Sequence, residues 1–222
     1  MTQELDGPRV GPLSGAARQL IVLVHGYGAD GADLIGLAPH WARMLPDAAF
    51  VAPNGPQVCD MNPAGYQWFP ISRLDPREIA TGAQLAAPAL SRFIDAELAA
   101  LGLGGADLAL VGFSQGTILS LQVGLRRRPA PAAILGYSGA LAAPDRLAGE
   151  ITARPPVLLI HGEADPVVPV GALHQAVAAL GANGVPVQFH TAPGLGHGID
   201  AEGMAMGAAF LAAAFGDGSS VS

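Results

Sequence analysis

The sequence predicts an α/β fold: a mostly parallel central sheet with helices on both faces. Three observations predict it. Short apolar runs alternate with segments of helical periodicity, the pattern of repeated strand–helix units. The runs are apolar almost throughout, as expected of strands covered on both sides. Finally, the pentapeptide Gly112-Phe113-Ser114-Gln115-Gly116 lies where one such run passes into a helical segment, so that strand, tight turn and helix follow in order.

Taken along the chain, the first strand-sized runs are Leu20–Val24 and Ala48–Ala52. Pro53–Pro76 fits neither element type. It is rich in Pro, Gly and Asn, and a connection of that length in a compact domain usually has a function. An apolar stripe through Leu90, Phe93, Ile94, Leu98 and Leu101 predicts a helix over about Glu78–Leu101, which Pro88 should bend or shorten. Leu108–Phe113 is the next strand, and Gln115–Arg127 a helix ended by Pro129. After strand Ala132–Tyr137, the segment Ala140–Pro156 has room for only a short helix. Strand Val157–His161, helix Val170–Leu180 and strand Val187–Thr191 follow. Asp200 is placed to cap a last helix carrying Met204, Ala208, Leu211 and Phe215 on one face. One domain over residues 1–216 is expected, with 217–222 a disordered tail.

Composition narrows the function classes. The chain has 222 residues and a formal net charge of −7, which argues against nucleic acid as a partner. Its one basic cluster, Arg126-Arg127-Arg128, falls at the end of a predicted helix, where cations complement the helix dipole. No apolar run approaches the ~20 residues of a membrane span. The acidic first residues lack the basic-then-apolar pattern of a secretory signal, and the single Cys59 excludes an intrachain disulfide or a cysteine-based metal cluster. Cytoplasmic residence is the expectation.

The pentapeptide points to acyl transfer. A strand–turn–helix elbow lifts a serine oxygen above the sheet, and flanking glycines avoid collision with the neighbouring elements. Ser114 is therefore the candidate nucleophile, and its base and acid should follow it in the order acid, then histidine. His197, in Gly194-Leu195-Gly196-His197-Gly198, comes just past a strand end and is the candidate base. His161 is a weaker candidate, because as the base it would precede the acid. Asp165 stands a few residues beyond strand Val157–Ile160, at the sheet edge where open α/β folds build sites; Glu163 is the competing carboxylate. An oxyanion needs two backbone N–H donors. Gln115 N–H follows the nucleophile at a helix start, and Tyr27 N–H lies in the loop His25-Gly26-Tyr27-Gly28 after an early strand.

These segments resemble the small carboxylesterase/acyl-protein thioesterase family, the phospholipase/carboxylesterase group of α/β-hydrolases. The resemblance runs from about Leu20 to Phe215. It is carried by His25-Gly-Tyr-Gly-Ala-Asp30, Gly112-Phe-Ser-Gln-Gly116, His161-Gly-Glu-Ala-Asp-Pro-Val-Val-Pro169 and Gly196-His197. It implies an α/β-hydrolase fold, the triad Ser114, Asp165 and His197, an oxyanion hole at Tyr27 and Gln115, and no cofactor or metal. Some members dimerise, so a homodimer is among the assemblies it allows. Thr117 and Gly198 depart from the family pattern, where another glycine and a polar residue are common.

The resemblance implies a serine carboxylesterase acting on a small-molecule ester. An acylated protein or a lysolipid, cleaved by the same triad, is the alternative. Met61, Tyr66, Trp68 and Phe69 in the long aromatic loop are the expected substrate contacts. The short Ala140–Pro156 segment leaves no separate lid domain, so an open site walled by loops is expected.

Overall fold

The apolar runs form the strands expected of them, and three two-residue strands too short to show any periodicity join them. The computed structural model describes residues 4–72 and 75–216. The chain begins with a two-residue strand β1 (Arg9–Val10), then β2 (Gln19–Val24), the one-turn helices α1 (Gly31–Leu34) and α2 (Ala38–Trp41), and β3 (Ala48–Val51). A small hairpin of β4 (Gln57–Val58) and β5 (Tyr66–Gln67) precedes the long helix α3 (Pro76–Leu101). Then come β6 (Leu108–Phe113), α4 (Gln115–Gly124), β7 (Ala133–Tyr137), α5 (Leu147–Glu150), β8 (Val157–Gly162), α6 (Gly171–Ala182), β9 (Val187–Ala192) and α7 (Ala201–Gly216).

The seven-stranded sheet has the order β1-β3-β2-β6-β7-β8-β9. Every pairing is parallel except β1 with β3. Side chains alternate across it. Leu20, Val22 and Val24 of β2 join the apolar core under α3, α4 and α6, while Ile21 and Leu23 join the core under α2 and α7. Both faces of the inner strands are thus dry, which is why β2, β3 and β6 to β8 carry no polar side, whereas the edge strand β9 exposes Gln188 and Phe189. Register decides where the loops emerge: Val24 pairs with Gly112, Phe113 with Tyr137, and Gly162 with Ala192, so the chain leaves these strands along one sheet edge.

Two expectations change. Pro88 does not shorten α3, which runs unbroken from Pro76 to Leu101. Pro88 and residue 84, whose carbonyl the ring deprives of a donor, both lie on the exposed face, where water can take that carbonyl. The helix also starts earlier than its apolar stripe, because Asp75 caps it by accepting from Arg77 N and Glu78 N. The arginine cluster after α4 is held by ion pairs: Arg126 bonds Glu150 and Arg127 bonds Asp95, tying α4 to α5 and α3. Asp200 does cap α7, accepting from Gly203 N at 2.7 Å. The tail 217–222 lies outside the described residues. Among the described residues, no helix is long and apolar enough to cross a membrane.

Candidate active site

Ser114 sits between β6 and α4 in a conformation that L-residues rarely adopt, φ 54° and ψ −116°. Strain of this kind costs about 1–3 kcal/mol and persists only where the surroundings enforce it. Here they do. A Cβ on Gly112 would stand 2.4 Å from the Gly116 carbonyl carbon, and one on Gly116 would stand 1.8 Å from Val24 O, so both positions must be glycine. Ser114 N donates to Tyr137 O at 2.9 Å, pinning the turn to β7. Thr117, the departure from the family pattern, is accommodated. Its hydroxyl lies 2.8 Å from both Gly112 O and Tyr137 O, and Gly136 and Gly139 leave room for its methyl group.

Across the same sheet edge, the turn after β8 aims one carboxylate at the loop after β9. Asp165 Oδ1 accepts from Val167 N and Val168 N, each at 2.9 Å, and Oδ2 lies 2.8 Å from His197 Nδ1. Facing a carboxylate, Nδ1 carries the proton, and the Nε2 lone pair is left available. Burial raises the Asp165 carboxyl, but the hydrogen bonds from His197 and from the Val168 and Val167 amides outweigh it and hold the group below its ordinary value. Glu163, the rival carboxylate, turns away and accepts from Thr191 Oγ1 at 3.0 Å. The His197 ring packs at 4.9 Å, centroid to centroid, against Phe113, the residue before Ser114. No hydrogen bond joins Ser114 to His197 among the described residues; His197 makes its side-chain bond through Nδ1. His161 lies on the other side of the Asp165 carboxylate, its Nε2 3.4 Å from Oδ2.

The loop after β2 is braced from behind. His25 Nε2 accepts from Gly55 N at 2.9 Å, which places its proton on Nδ1, 2.7 Å from Gly26 O. Burial lowers the His25 pKa and keeps the ring neutral. Trp68 Nε1 donates to His25 O at 2.9 Å. The Gln115 side chain is buried and clamps the same loop. It accepts from Trp68 N at 2.9 Å and donates to Phe69 O at 2.8 Å. Against this bracing, neither Tyr27 N–H nor Gln115 N–H has a hydrogen-bond acceptor among the described residues. Burial, with the Cys59 thiol beside it, pushes the Tyr27 phenol up to about 12, and its hydroxyl has no hydrogen bond of acceptable geometry.

Tyr27, Ser114 and Gln115 share a cavity of about 560 Å³. Its walls are mostly aliphatic: Ile71 and Ile79 on one side, Ile118 below, Leu141 and Ala142 from the segment after β7, and Val167 and Val168 from the turn that carries Asp165. Pro76, Arg77 and Pro144–Arg146 line it where the chain is exposed, so the cavity is open to solvent.

A serine at a strained elbow and two unpaired amides on one cavity, with a part-buried His–Asp pair packed on Phe113 beside them, call for comparison with known hydrolases. Residues 5–215 match the family model for phospholipases and carboxylesterases. The chain belongs to that family. Its members are carboxylic ester hydrolases, and so is this protein. The chain is 32% identical over 192 residues to esterase YpfH of Escherichia coli K12, covering 85% of this chain and 79% of that one. It is 28% identical to acyl-protein thioesterase 1 of Gibberella zeae, covering 92% and 94% of the two. Among solved structures, esterase PE8 superposes with a TM-score of 0.91 at 45% identity, covering 94% of this chain and 98% of the other.

Within this phospholipase/carboxylesterase fold the expected aromatic contacts stand away from the cavity. Trp68 is only 2% exposed and lies with Phe69 in the core beneath α3, where Phe69 fills the space beside Gly82. Tyr66 pairs with Gly28 and Ala29 through its backbone, and Met61 is 81% exposed. None of the four lines the cavity next to Ser114. The loop's aromatics brace the Tyr27 turn from behind. The aliphatic walls went unread in the sequence, although Val167 and Val168 sit directly after Asp165.

Proposed function

We propose that the protein hydrolyses carboxylic esters through an acyl-enzyme on Ser114. His197 Nε2 removes the hydroxyl proton as Ser114 Oγ attacks the ester carbonyl. The carbonyl electrons move onto oxygen, and the unpaired N–H groups of Tyr27 and Gln115 receive the oxyanion; each donor of this kind is worth about 10²–10³ in rate. Asp165 holds the imidazole tautomer and stabilises its protonated form. His197 then returns the proton to the departing alcohol, and water repeats the sequence on the acyl-enzyme. The absence of a Ser114–His197 hydrogen bond fits a resting site, since catalytic contacts tighten when substrate binds. The aliphatic cavity would take the acyl chain.

The observation that carries this reading is the part-buried Asp165–His197 bond at 2.8 Å, with the His197 ring packed on Phe113, the residue before a serine held at φ 54°. The test is labelling with a fluorophosphonate and mapping of the adduct. The adduct is expected on Ser114, blocked in Ser114→Ala and in His197→Ala. A folded protein that hydrolyses esters but carries its adduct elsewhere would refute the assignment.

One observation favours a second reading, hydrolysis of a thioester on an acylated protein or of a lysophospholipid by the same residues. Arg77 and Arg146 line the open mouth of the cavity, and among the described residues neither is ion-paired, in a chain of net charge −7. A guanidinium at such a mouth suits a phosphate or carboxylate beyond the scissile bond. Rates on matched oxygen esters, thioesters and lysophospholipids with equal acyl chains separate the readings.

A further inference from the structure

Resting on that mechanism, we infer that His161 is a positioning residue, a second imidazole that fixes the Asp165 carboxylate and the cavity wall attached to it. His161 is the penultimate residue of strand β8 and is only 1% exposed. Its Nε2 lies 2.7 Å from Val168 O. A carbonyl only accepts, so Nε2 bears the proton and His161 cannot offer that nitrogen as a base. The same N–H lies 3.4 Å from Asp165 Oδ2, the oxygen that takes His197. One donor therefore spans both ends of a closed turn, because Val168 N already donates to Asp165 Oδ1 at 2.9 Å.

The geometry gives His161 two consequences at once. With the Val167 and Val168 amides on Oδ1, His197 on Oδ2, and the Val168 end of the turn held by His161, the plane that His197 meets is set. Held the same way, Val167 and Val168 form part of the cavity wall, so the lock that orients the acid also shapes the surface against which an acyl chain would lie. Without the His161 proton, the part-buried Val168 O loses its donor, and the turn relaxes with Asp165 in it.

The test uses the full chain and the variants His161→Leu, His161→Gln and His161→Asn. A glutamine amide reaches about as far as a histidine Nε2, whereas an asparagine amide stops nearer the backbone. Turnover of a short and a medium p-nitrophenyl ester is measured alongside the low-field proton resonance of the His197–Asp165 hydrogen bond. In His161→Leu and His161→Asn, kcat is expected to fall about tenfold, a loss of about 1.4 kcal/mol. The low-field proton should move and the ratio of rates on the two esters should change. His161→Gln should recover most of each. Wild-type kcat and an unmoved proton in His161→Leu, with only a lower Tm, would overturn the inference and leave His161 as core packing. Equal losses in His161→Gln and His161→Leu would overturn the donor argument. If His161→Leu does not fold, the contrast between Gln and Asn decides. The proton resonance needs no substrate, so a response there together with no ester turnover in the wild type would refute the proposed reaction while upholding the role of His161.

Discussion

Gln115 offers the sharpest test of how the site is built, because its backbone and its side chain have separable duties. The N–H faces the cavity, while the buried side chain accepts from Trp68 N and donates to Phe69 O. Gln115→Leu keeps the N–H and roughly the volume but strands one buried donor and one buried acceptor. Each unmade bond costs about 1–3 kcal/mol, so a loss near 3 kcal/mol is expected after partial relaxation. For a chain of this length that is a drop of roughly 6–12 °C in Tm. Since the N–H proposed to receive the oxyanion survives, kcat at a temperature where the variant is folded should fall by much less than the ~10²–10³ of a lost donor. Gln115→Glu adds a sign test. Its carboxylate can accept from Trp68 N but repels Phe69 O, and burial raises its pKa. The protonated form restores the donor, so its deficit against wild type should shrink as pH falls. Urea unfolding with both variants checks this. A Gln115→Leu deficit below about 0.5 kcal/mol, or a Gln115→Glu deficit that grows on acidification, would refute the clamp.

Other outcomes follow from the same contacts. Gly116→Ala should cost more than about 4 kcal/mol or abolish soluble protein, because its Cβ would overlap Val24 O at 1.8 Å, whereas Gly198→Ala, with nothing within 4 Å, should stay within about 0.5 kcal/mol in urea unfolding. Thr117→Val keeps the shape but leaves Gly112 O and Tyr137 O without their shared hydroxyl, and should destabilise by about 1–3 kcal/mol. Stability should fall with acid in two stages. His25 has a folded pKa below its ordinary 6.5, so the unfolded chain binds the proton first and stability is lost as pH drops below about 6.5. Asp165, also lowered, contributes stability that is complete above its ordinary 3.8 and is lost as pH falls through its folded value. Urea midpoints across that range, with His25→Asn flattening the upper stage, would show it; a midpoint rising below pH 6.5 would count against both assignments.

Much of the fold was legible because it is written locally. A strand covered on both faces must be apolar throughout, and six such runs mark six of the sheet's strands within a residue or two. β1, β4 and β5 have two residues each, too few for any period; β1 takes its partner β3 from far along the chain, and β4 and β5 pair only with each other. Pro88 misled for a related reason. The rule that proline stops a helix assumes that the freed carbonyl goes unsatisfied, and only the fold shows that face to be wet.

The site divides in the same way. By itself the sequence marked the elbow through its glycine spacing and offered Asp165 and His197 in the order such a site requires; the steric demand at Gly112 acts within one turn, whereas that at Gly116 comes from Val24 O of the neighbouring strand. Tertiary structure alone decided which carboxylate meets which imidazole, across 32 residues, and that Gln115 grips the aromatic loop 46 and 47 residues away. It also replaced that loop's aromatics with Ile71, Ile79, Ile118, Leu141, Val167 and Val168 as the cavity wall. The reason is physical. Periodicity and backbone sterics are properties of neighbouring residues, whereas the direction of a side chain over the sheet edge is fixed by strand register and by what packs behind the loop.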